Sequence, residues 1–187
     1  MYEEDTTIMT NDELVAGILE NSNYNDISGS MTEFVRNYVE KLVSDISLYV
    51  DSSIVVENIE TVHKYTAGQE LSQDITGIPS AYSAIDGEPE VLVQFAEQYA
   101  KLGIDSFDVL AKEALLDFLN LHNGLFIVLL SKLNLCELSL NAPRQTEALS
   151  ITTEVNGKIT IIPIRFSFGT VKFLLYELPG SADLSQS

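Results

Sequence analysis

The sequence predicts an α/β domain of the α+β kind, with an antiparallel sheet and long helices packed on one face of it. Long segments with apolar residues spaced by three and four, typical of amphipathic helices, occur together with short runs rich in β-branched residues. Near the C-terminus an Asn156-Gly157 dipeptide separates two such runs, and Asn-Gly favours the tight turn of an antiparallel hairpin. The 187 residues, 45% of them hydrophobic, suffice for one core of ordinary size.

The first 30 residues are polar and weakly patterned, so we expect an N-terminal arm over residues 1–30 that is either a linker or a docking element. Asn11, Asp12 and Glu13 can cap a short helix within it. The main domain is predicted over residues 31–178, followed by a flexible polar tail over residues 179–187.

Three long helices are predicted in the main domain. Thr32 caps the first, which runs to about residue 50, and Pro89 begins the second, which Gly103 closes. The third spans about residues 107–133. The apolar faces of these helices and of the later strands predict a core built from Phe34, Tyr38, Leu42, Phe95, Leu115, Phe118, Phe126, Ile162, Ile164 and Leu175.

The predicted strands lie on both sides of the second and third helices. The last three strands should form an antiparallel meander, with turns at Asn156-Gly157 and Gly169-Thr170. The strands are expected at residues 53–62, 70–75, 81–85, 136–140, 148–155, 158–166 and 170–178.

Composition restricts the partners and the chemistry. The net charge of −18 repels nucleic acid and anionic membranes, so a protein partner is expected, although the charge alone also serves solubility. The lone Cys136 is interpreted as a small buried hydrophobe, and a single thiol without a signal segment favours the cytoplasm. Neither a phosphate loop nor a cysteine cluster is present, and His122 falls on an apolar helix face, so we expect no metal or cofactor.

One face of the third helix carries unusual residues. Glu113, Asp117, Asn120 and Gly124, spaced by four, three and four, lie within about 60° of one another, whereas Asn123 lies at least about 60° away from this stripe. Asn and Gly are poor helix formers, so helix stability does not explain them. A carboxylate and a carboxamide one turn apart can hold a partner's lysine and a water molecule, but the same residues also suit a solvated helix face.

The segment from Glu113 to Asn120, followed by twenty-two residues and Pro143, resembles the signature of the CheX, CheC and FliY chemotaxis phosphatases. That signature has Asp or Ser, three residues, Glu, two residues, Asn, twenty-two residues and Pro. Gly124 matches a glycine common in the family, and the order of helices and strands over about residues 31–177 is similar.

The resemblance implies a CheX-like fold and hydrolysis of the aspartyl phosphate of a CheY-type response regulator. It implies that Asp117 engages the regulator's lysine and that Asn120 orients the attacking water. Glu113, Gly124 and Asn123 are then candidate binding residues. No cofactor of this chain is implied, because Mg²⁺ is expected in the partner regulator, and a homodimer is possible.

Two positions depart from the signature, since Asp117 replaces Glu and Glu113 replaces Asp or Ser. Two alternatives therefore stay open. The first is a CheX-like module that binds a receiver domain or a flagellar switch component without catalysis. The second is a structural or sensory dimer, paired through the edge of the meander, in which the helix stripe is only solvated.

Overall fold

The computed structural model describes residues 8–147, 149–152 and 157–178. Its helices are α1 (Asn11–Glu20), α2 (Tyr24–Ile27), α3 (Glu33–Tyr49), α4 (Pro89–Ala100) and α5 (Val109–Lys132), with a 3-10 turn at Ser28–Ser30. Its strands are β1 (Val55–Val56), β2 (Glu60–Val62), β3 (Lys64–Ala67), β4 (Glu70–Thr76), β5 (Ala81–Asp86), β6 (Ser139–Leu140), β7 (Arg144–Thr146), β8 (Leu149–Thr152), β9 (Ile159–Phe166) and β10 (Gly169–Glu177).

The main sheet has the strand order β1-β9-β10-β5-β4-β6. In addition, β2 pairs with β9 and β7 pairs with β4. The strand pairs are antiparallel, which confirms the predicted fold class. A second sheet, made of β3 and β8, is also antiparallel.

The main sheet is covered on both faces because successive side chains of a strand point to opposite sides. In β10, Phe173 and Leu175 belong to the large core under the helices, whereas Leu174 and Tyr176 belong to a smaller cluster on the other face. Tyr65 of β3 and Ile151 of β8 pack on that smaller cluster. The helices therefore occupy one face, as predicted, and the small β3–β8 sheet lies against part of the other.

The helix limits follow local capping chemistry. Thr32 caps α3, as predicted, by accepting a hydrogen bond from the backbone N–H of Val35 at 3.2 Å. The predicted cap of α1 at residues 11–13 is wrong, because Thr10 caps that helix in a reciprocal pair with Glu13. The predicted closure of α4 by Gly103 is also wrong, since Lys101 adopts the left-handed conformation (φ 58°) that ends the helix.

The N-terminal arm docks onto the domain. Val15, Ile18 and Leu19 of α1 are buried in the main core, and Asn11 Nδ2 donates to Ser44 Oγ of α3 at 2.7 Å. In the described residues α1 therefore packs as part of the main core. The predicted tail over residues 179–187 lies outside the described residues.

The predicted three-strand meander is wrong in one part. β9 and β10 pair as expected, but β8 pairs with β3 rather than with β9. The free edge of β9 is instead taken by β1 and β2, through pairs such as Val56 with Ile164. The turn between β9 and β10 lies at residues 167–168, because Gly169 already pairs with Phe166, and the predicted Asn156-Gly157 turn lies partly outside the described residues.

All ten predicted core residues are buried, and His122 is a core histidine as expected. Its Nδ1 lies 2.8 Å from Oδ2 of the fully buried Asp45, whose Oδ1 lies 2.8 Å from Lys41 Nζ. Burial lowers the pKa of His122 below its usual value, although Asp45 acts in the opposite direction. Cys136 is only half-buried, and it packs against the edge of the same core.

By length and composition α5 could cross a membrane, but core helices of globular proteins meet the same criteria. Phe118, Leu119 and Phe126 of α5 are fully buried against the sheet and the other helices. The apolar character of α5 is therefore accounted for by its central place in the core.

Candidate functional site

The stripe predicted on α5 is on the surface of the domain. Glu113, Asp117 and Asn120 are exposed and Gly124 is partly exposed. The opposite side of the helix is buried in the core at Ala111, Ala114, Leu115, Phe118, Leu119, Phe126 and Leu130. The helix therefore presents two acids, an amide and a position without a side chain on one outward face.

The helix begins at Asp108, whose side chain accepts a hydrogen bond from the backbone N–H of Leu110 at 3.1 Å. The Ser106 hydroxyl, which donates to Asp108 Oδ2, and then this backbone contact hold the pKa of Asp108 below its usual value. The cap fixes the start of α5, and the packing of its apolar side fixes its rotation about its axis. Together they determine which residues of α5 face outward.

Asp117 has a partner from another helix. The hydroxyl of Tyr99, on α4, donates to Asp117 Oδ2 at 2.8 Å. The Tyr99 ring packs edge-on against Phe118, with 5.3 Å between the ring centroids, which holds it in place beside the acid. Burial, with Asp117 as the second cause, raises the pKa of Tyr99, so the phenol remains a donor.

Asn120 also has a partner from elsewhere in the fold. Gln73, a fully buried residue of β4, donates through Nε2 to Asn120 Oδ1 at 2.7 Å. The same nitrogen donates to the backbone carbonyl oxygen of Asn141 at 2.8 Å. Asn141 lies two residues before Pro143, so this contact brings the segment with the signature proline beside the amide of the stripe.

Asn123 does not lie on the stripe. Its side chain is fully buried, and its Nδ2 donates to Gln73 Oε1 at 2.9 Å. A protein that approached the outward face of α5 could not touch it, so its expected place among the binding residues changes. Asn123 enters the site as a support beneath Asn120.

Gly124 has free space above it. A Cβ atom built on Gly124 has no neighbour within 4 Å apart from the helix itself. The internal packing of the domain therefore does not require glycine at this position. The absent side chain either is incidental or leaves room for something outside the domain.

Tyr99 and Gln73 were not predicted as part of the site. Gln73 carried a recognisable signal, because it alternates with Leu71 and Ile75 on the side of β4 that faces the helices. A polar residue at a core-facing position needs hydrogen-bond partners. Tyr99 carried no such signal, since it falls among apolar residues on a helix face.

The stripe lies apart from two clefts in the described part of the chain. Two clefts of about 610 and 730 Å³ lie elsewhere, one near Gly87 and Phe107 and the other between α1 and α3, and neither is lined by stripe residues. In residues 8–147, 149–152 and 157–178, no group of three or more His, Cys, Asp or Glu side chains could hold a metal ion. An open helix face of this kind suits a macromolecular partner.

No protein-family model matches the sequence, and no curated protein matches it either. Solved structures of chemotaxis proteins are similar in fold. A CheC-like superfamily protein from Shewanella sp. PV-4 gives a TM-score of 0.65 at 14% identity, over 78% of this chain and 98% of that one. CheX from Desulfovibrio desulfuricans gives 0.63 at 13% identity, over 78% and 100%. A chain of the CheX–CheY–BeF₃–Mg²⁺ complex from Borrelia burgdorferi gives 0.50 at 16% identity, over 79% and 98%.

Proposed function

From the CheX/CheC-like fold of this chain, we propose that it is a phosphatase for the aspartyl phosphate of a CheY-type response regulator in chemotaxis. The observation that carries the proposal is an acid and an amide, Asp117 and Asn120, one turn apart on an exposed helix face at the spacing of the phosphatase signature. The protein would act in the cytoplasm, where two-component signalling takes place.

In the proposed reaction, α5 lies over the phosphorylation site of the regulator. Asp117 pairs with the regulator's lysine, and Asn120 holds a water molecule in line with the bond between phosphorus and the aspartate oxygen. The water oxygen attacks phosphorus while that bond breaks, which releases inorganic phosphate and restores the aspartate carboxylate. Positioning can supply several kcal/mol of the barrier, so the chain needs no nucleophile of its own.

Mg²⁺ would be bound by the regulator, where it neutralises charge on the phosphoryl oxygens. Asp117 and Asn120 need no metal for the roles proposed here, because one pairs with a lysine and the other with water. The similar chain from Borrelia burgdorferi was solved in a complex with CheY, BeF₃ and Mg²⁺, which supports a CheY-type partner for this fold.

Two features of the surface also support a protein partner. The space above Gly124 lets a second backbone come close to α5. The net charge of −18 disfavours nucleic acid and anionic lipid as ligands. A homodimer through the edge of the β9–β10 meander has little support, because β1 and β2 occupy the outer edge of β9 and β5 pairs with β10.

A second candidate is a receiver-binding module without catalysis. Asp117 favours it, because aspartate is one methylene shorter than the glutamate of the signature and a positioning error of about 1 Å can cost about 10²-fold in rate.

The experiment compares the decay of a phosphorylated CheY-type receiver with the native chain, with Asn120→Ala and with no addition. Gln94→Ala is the matched control, since Gln94 is an exposed carboxamide on the neighbouring helix α4. We expect the native chain and Gln94→Ala to accelerate decay and Asn120→Ala to lose the acceleration. Equal decay with native chain and Asn120→Ala would refute catalysis, and receiver binding without acceleration would select the binding module.

A further inference from the structure

Polar side chains buried beneath Asn120 form a continuous run of hydrogen bonds, here called the buried polar chain: Tyr38, Ser83, Asn123 and Gln73. All four are 0% exposed. Tyr38 and Ser83 share a hydroxyl hydrogen bond of 2.7 Å, and the Ser83 hydroxyl donates to Asn123 Oδ1 at 3.4 Å. Asn123 Nδ2 donates to Gln73 Oε1 at 2.9 Å, and Gln73 Nε2 donates to Asn120 Oδ1 at 2.7 Å. The run therefore starts in the core and ends at the exposed amide.

The direction of this run is fixed by a backbone group. A carboxamide can be turned over without a change of shape, so its hydrogen-bond partners must decide which end is nitrogen. Gln73 faces the carbonyl oxygen of Asn141 at 2.8 Å, and a carbonyl oxygen can only accept. The nitrogen of Gln73 must therefore face Asn141, and its oxygen must face Asn123.

The same constraint passes on to Asn120. Gln73 Nε2 has two hydrogens, of which one is donated to Asn141 and the other to Asn120. If Asn120 turned over, its NH₂ group would face the NH₂ group of Gln73, and one hydrogen of the buried Gln73 amide would lose its acceptor. Such an unsatisfied arrangement disfavours the turned form by about 5- to 150-fold, so the turned form is a minor state.

We propose that Gln73, held by the carbonyl oxygen of Asn141, sets the orientation of the Asn120 carboxamide, with Oδ1 held inward and Nδ2 presented to the partner as a hydrogen-bond donor. Gln73 is thus a positioning residue. The inference rests on the proposed phosphatase function for its consequence in catalysis, but the orientation itself is a property of this chain alone.

The orientation defines what Asn120 offers to the substrate. An outward NH₂ group donates to an oxygen atom that carries a lone pair, which here is the attacking water or a phosphoryl oxygen. Oδ1 keeps its second lone pair beside Gln73. A rigid donor is worth more in catalysis than one that must rotate into place, because it needs no reorganisation when the reaction occurs.

The first test reads the orientation without any activity measurement. Hydrogen exchange of side-chain NH₂ groups is followed by ¹⁵N NMR, with Asn120→Ala used to assign the Asn120 signals. We expect the NH₂ group of Gln73 to exchange at least about tenfold more slowly than that of Asn120, because the first is buried and donates twice. An Asn120 NH₂ group as protected as that of Gln73 would overturn the proposal.

The second test reverses the hydrogen bond that joins position 73 to Asn120. In Gln73→Glu, the ionised carboxylate can accept from Asn123 but cannot donate to Asn120, so Asn120 should turn its nitrogen inward and become protected by about tenfold. A pH series through the ionisation of the new carboxyl group should show this change as a titration that the native chain lacks. Ser83→Ala is the matched control, since Ser83 is equally buried but Asn141 still fixes Gln73.

Kinetics with a phosphorylated CheY-type receiver complete the test. We expect turnover by Gln73→Glu to fall at least about tenfold with half-saturation unchanged within about twofold, and Ser83→Ala to retain native turnover. Native turnover in Gln73→Glu, with its Asn120 amide turned inward, would overturn the role of the orientation. If the native chain does not accelerate decay, the proposed function fails, while the exchange data still decide the orientation.

Discussion

Gly124→Ala separates the stability of α5 from its use as a docking face. Glycine in a helix interior costs about 0.5–1 kcal/mol relative to alanine, and the new Cβ atom would meet nothing within 4 Å. We therefore expect the free energy of unfolding to rise by about 0.5–1 kcal/mol. For a chain of this size that raises the melting temperature by about 1–4 °C.

The same methyl group should hinder a partner that packs closely on the stripe. Overpacking a well-fitted contact costs about 1–3 kcal/mol, which corresponds to an increase of about 5- to 150-fold in the Kd for the receiver. Chemical denaturation gives the stability, and titration with a CheY-type receiver carrying a phosphoryl analogue gives the affinity.

Gly17→Ala is the matched control for this experiment. Gly17 lies inside α1, it is exposed, and a Cβ atom there also has no neighbour within 4 Å. It should stabilise the chain by a similar amount and leave the receiver's Kd unchanged. If Gly124→Ala binds the receiver as tightly as the native chain does, close approach at Gly124 is wrong and the stripe is not the centre of the interface.

Three further outcomes are expected. Tyr99→Phe removes the donor to Asp117 but keeps the ring packed on Phe118. Turnover of the phosphorylated receiver should therefore fall by about 2- to 12-fold, which is the equivalent of one hydrogen bond of about 0.5–1.5 kcal/mol. A native rate would show that Tyr99 does not position the acid. Asp45→Ala leaves His122 and Lys41 without their buried partner. Chemical denaturation should therefore show a free energy of unfolding that is lower by about 3–5 kcal/mol. A decrease below about 1 kcal/mol would contradict the buried pairing. The unfolding free energy should decrease as the pH rises above about 10, because tyrosines in the unfolded chain lose their protons there while the folded chain retains them. Absorbance titration of the folded chain should accordingly show ionisation at higher pH than in denaturant, since burial raises the pKa of Tyr24, Tyr38, Tyr65, Tyr82 and Tyr99.

The long helices and the core could be predicted because their signals are local. The apolar spacing in α3 and α5 repeats within each helix, and Thr32 caps α3 within three residues of its own position. The pairing of β8 with β3 could not be predicted in this way, because strand partners are chosen by contacts between distant parts of the chain. β1 and β2 had to be known to occupy the edge of β9 before β8 could be placed elsewhere.

The candidate site, like the fold, has a part that could be predicted from local sequence and a part that could not. The outward face of Glu113, Asp117 and Asn120 follows from helix geometry alone. The contacts that hold it do not, since Tyr99 is 18 residues from Asp117 and Gln73 is 47 residues from Asn120. Asn120→Ala should lower the free energy of unfolding by about 1 kcal/mol, more than the few tenths typical of an exposed residue, because Gln73 loses a hydrogen-bond partner.

Two hydrogen bonds, from Gln73 to Asn120 and from Asn123 to Gln73, register α5 against the strand below it. Apolar packing alone tolerates some sliding of a helix over a sheet, because dispersion contacts have little directional preference. A pair of directional hydrogen bonds near the middle of α5 does not tolerate such sliding, since a shift of one turn, about 5.4 Å, would break both. A partner protein would therefore contact a helix face that cannot slide along the sheet. A distortion of β4 would also displace the stripe residues that contact the partner.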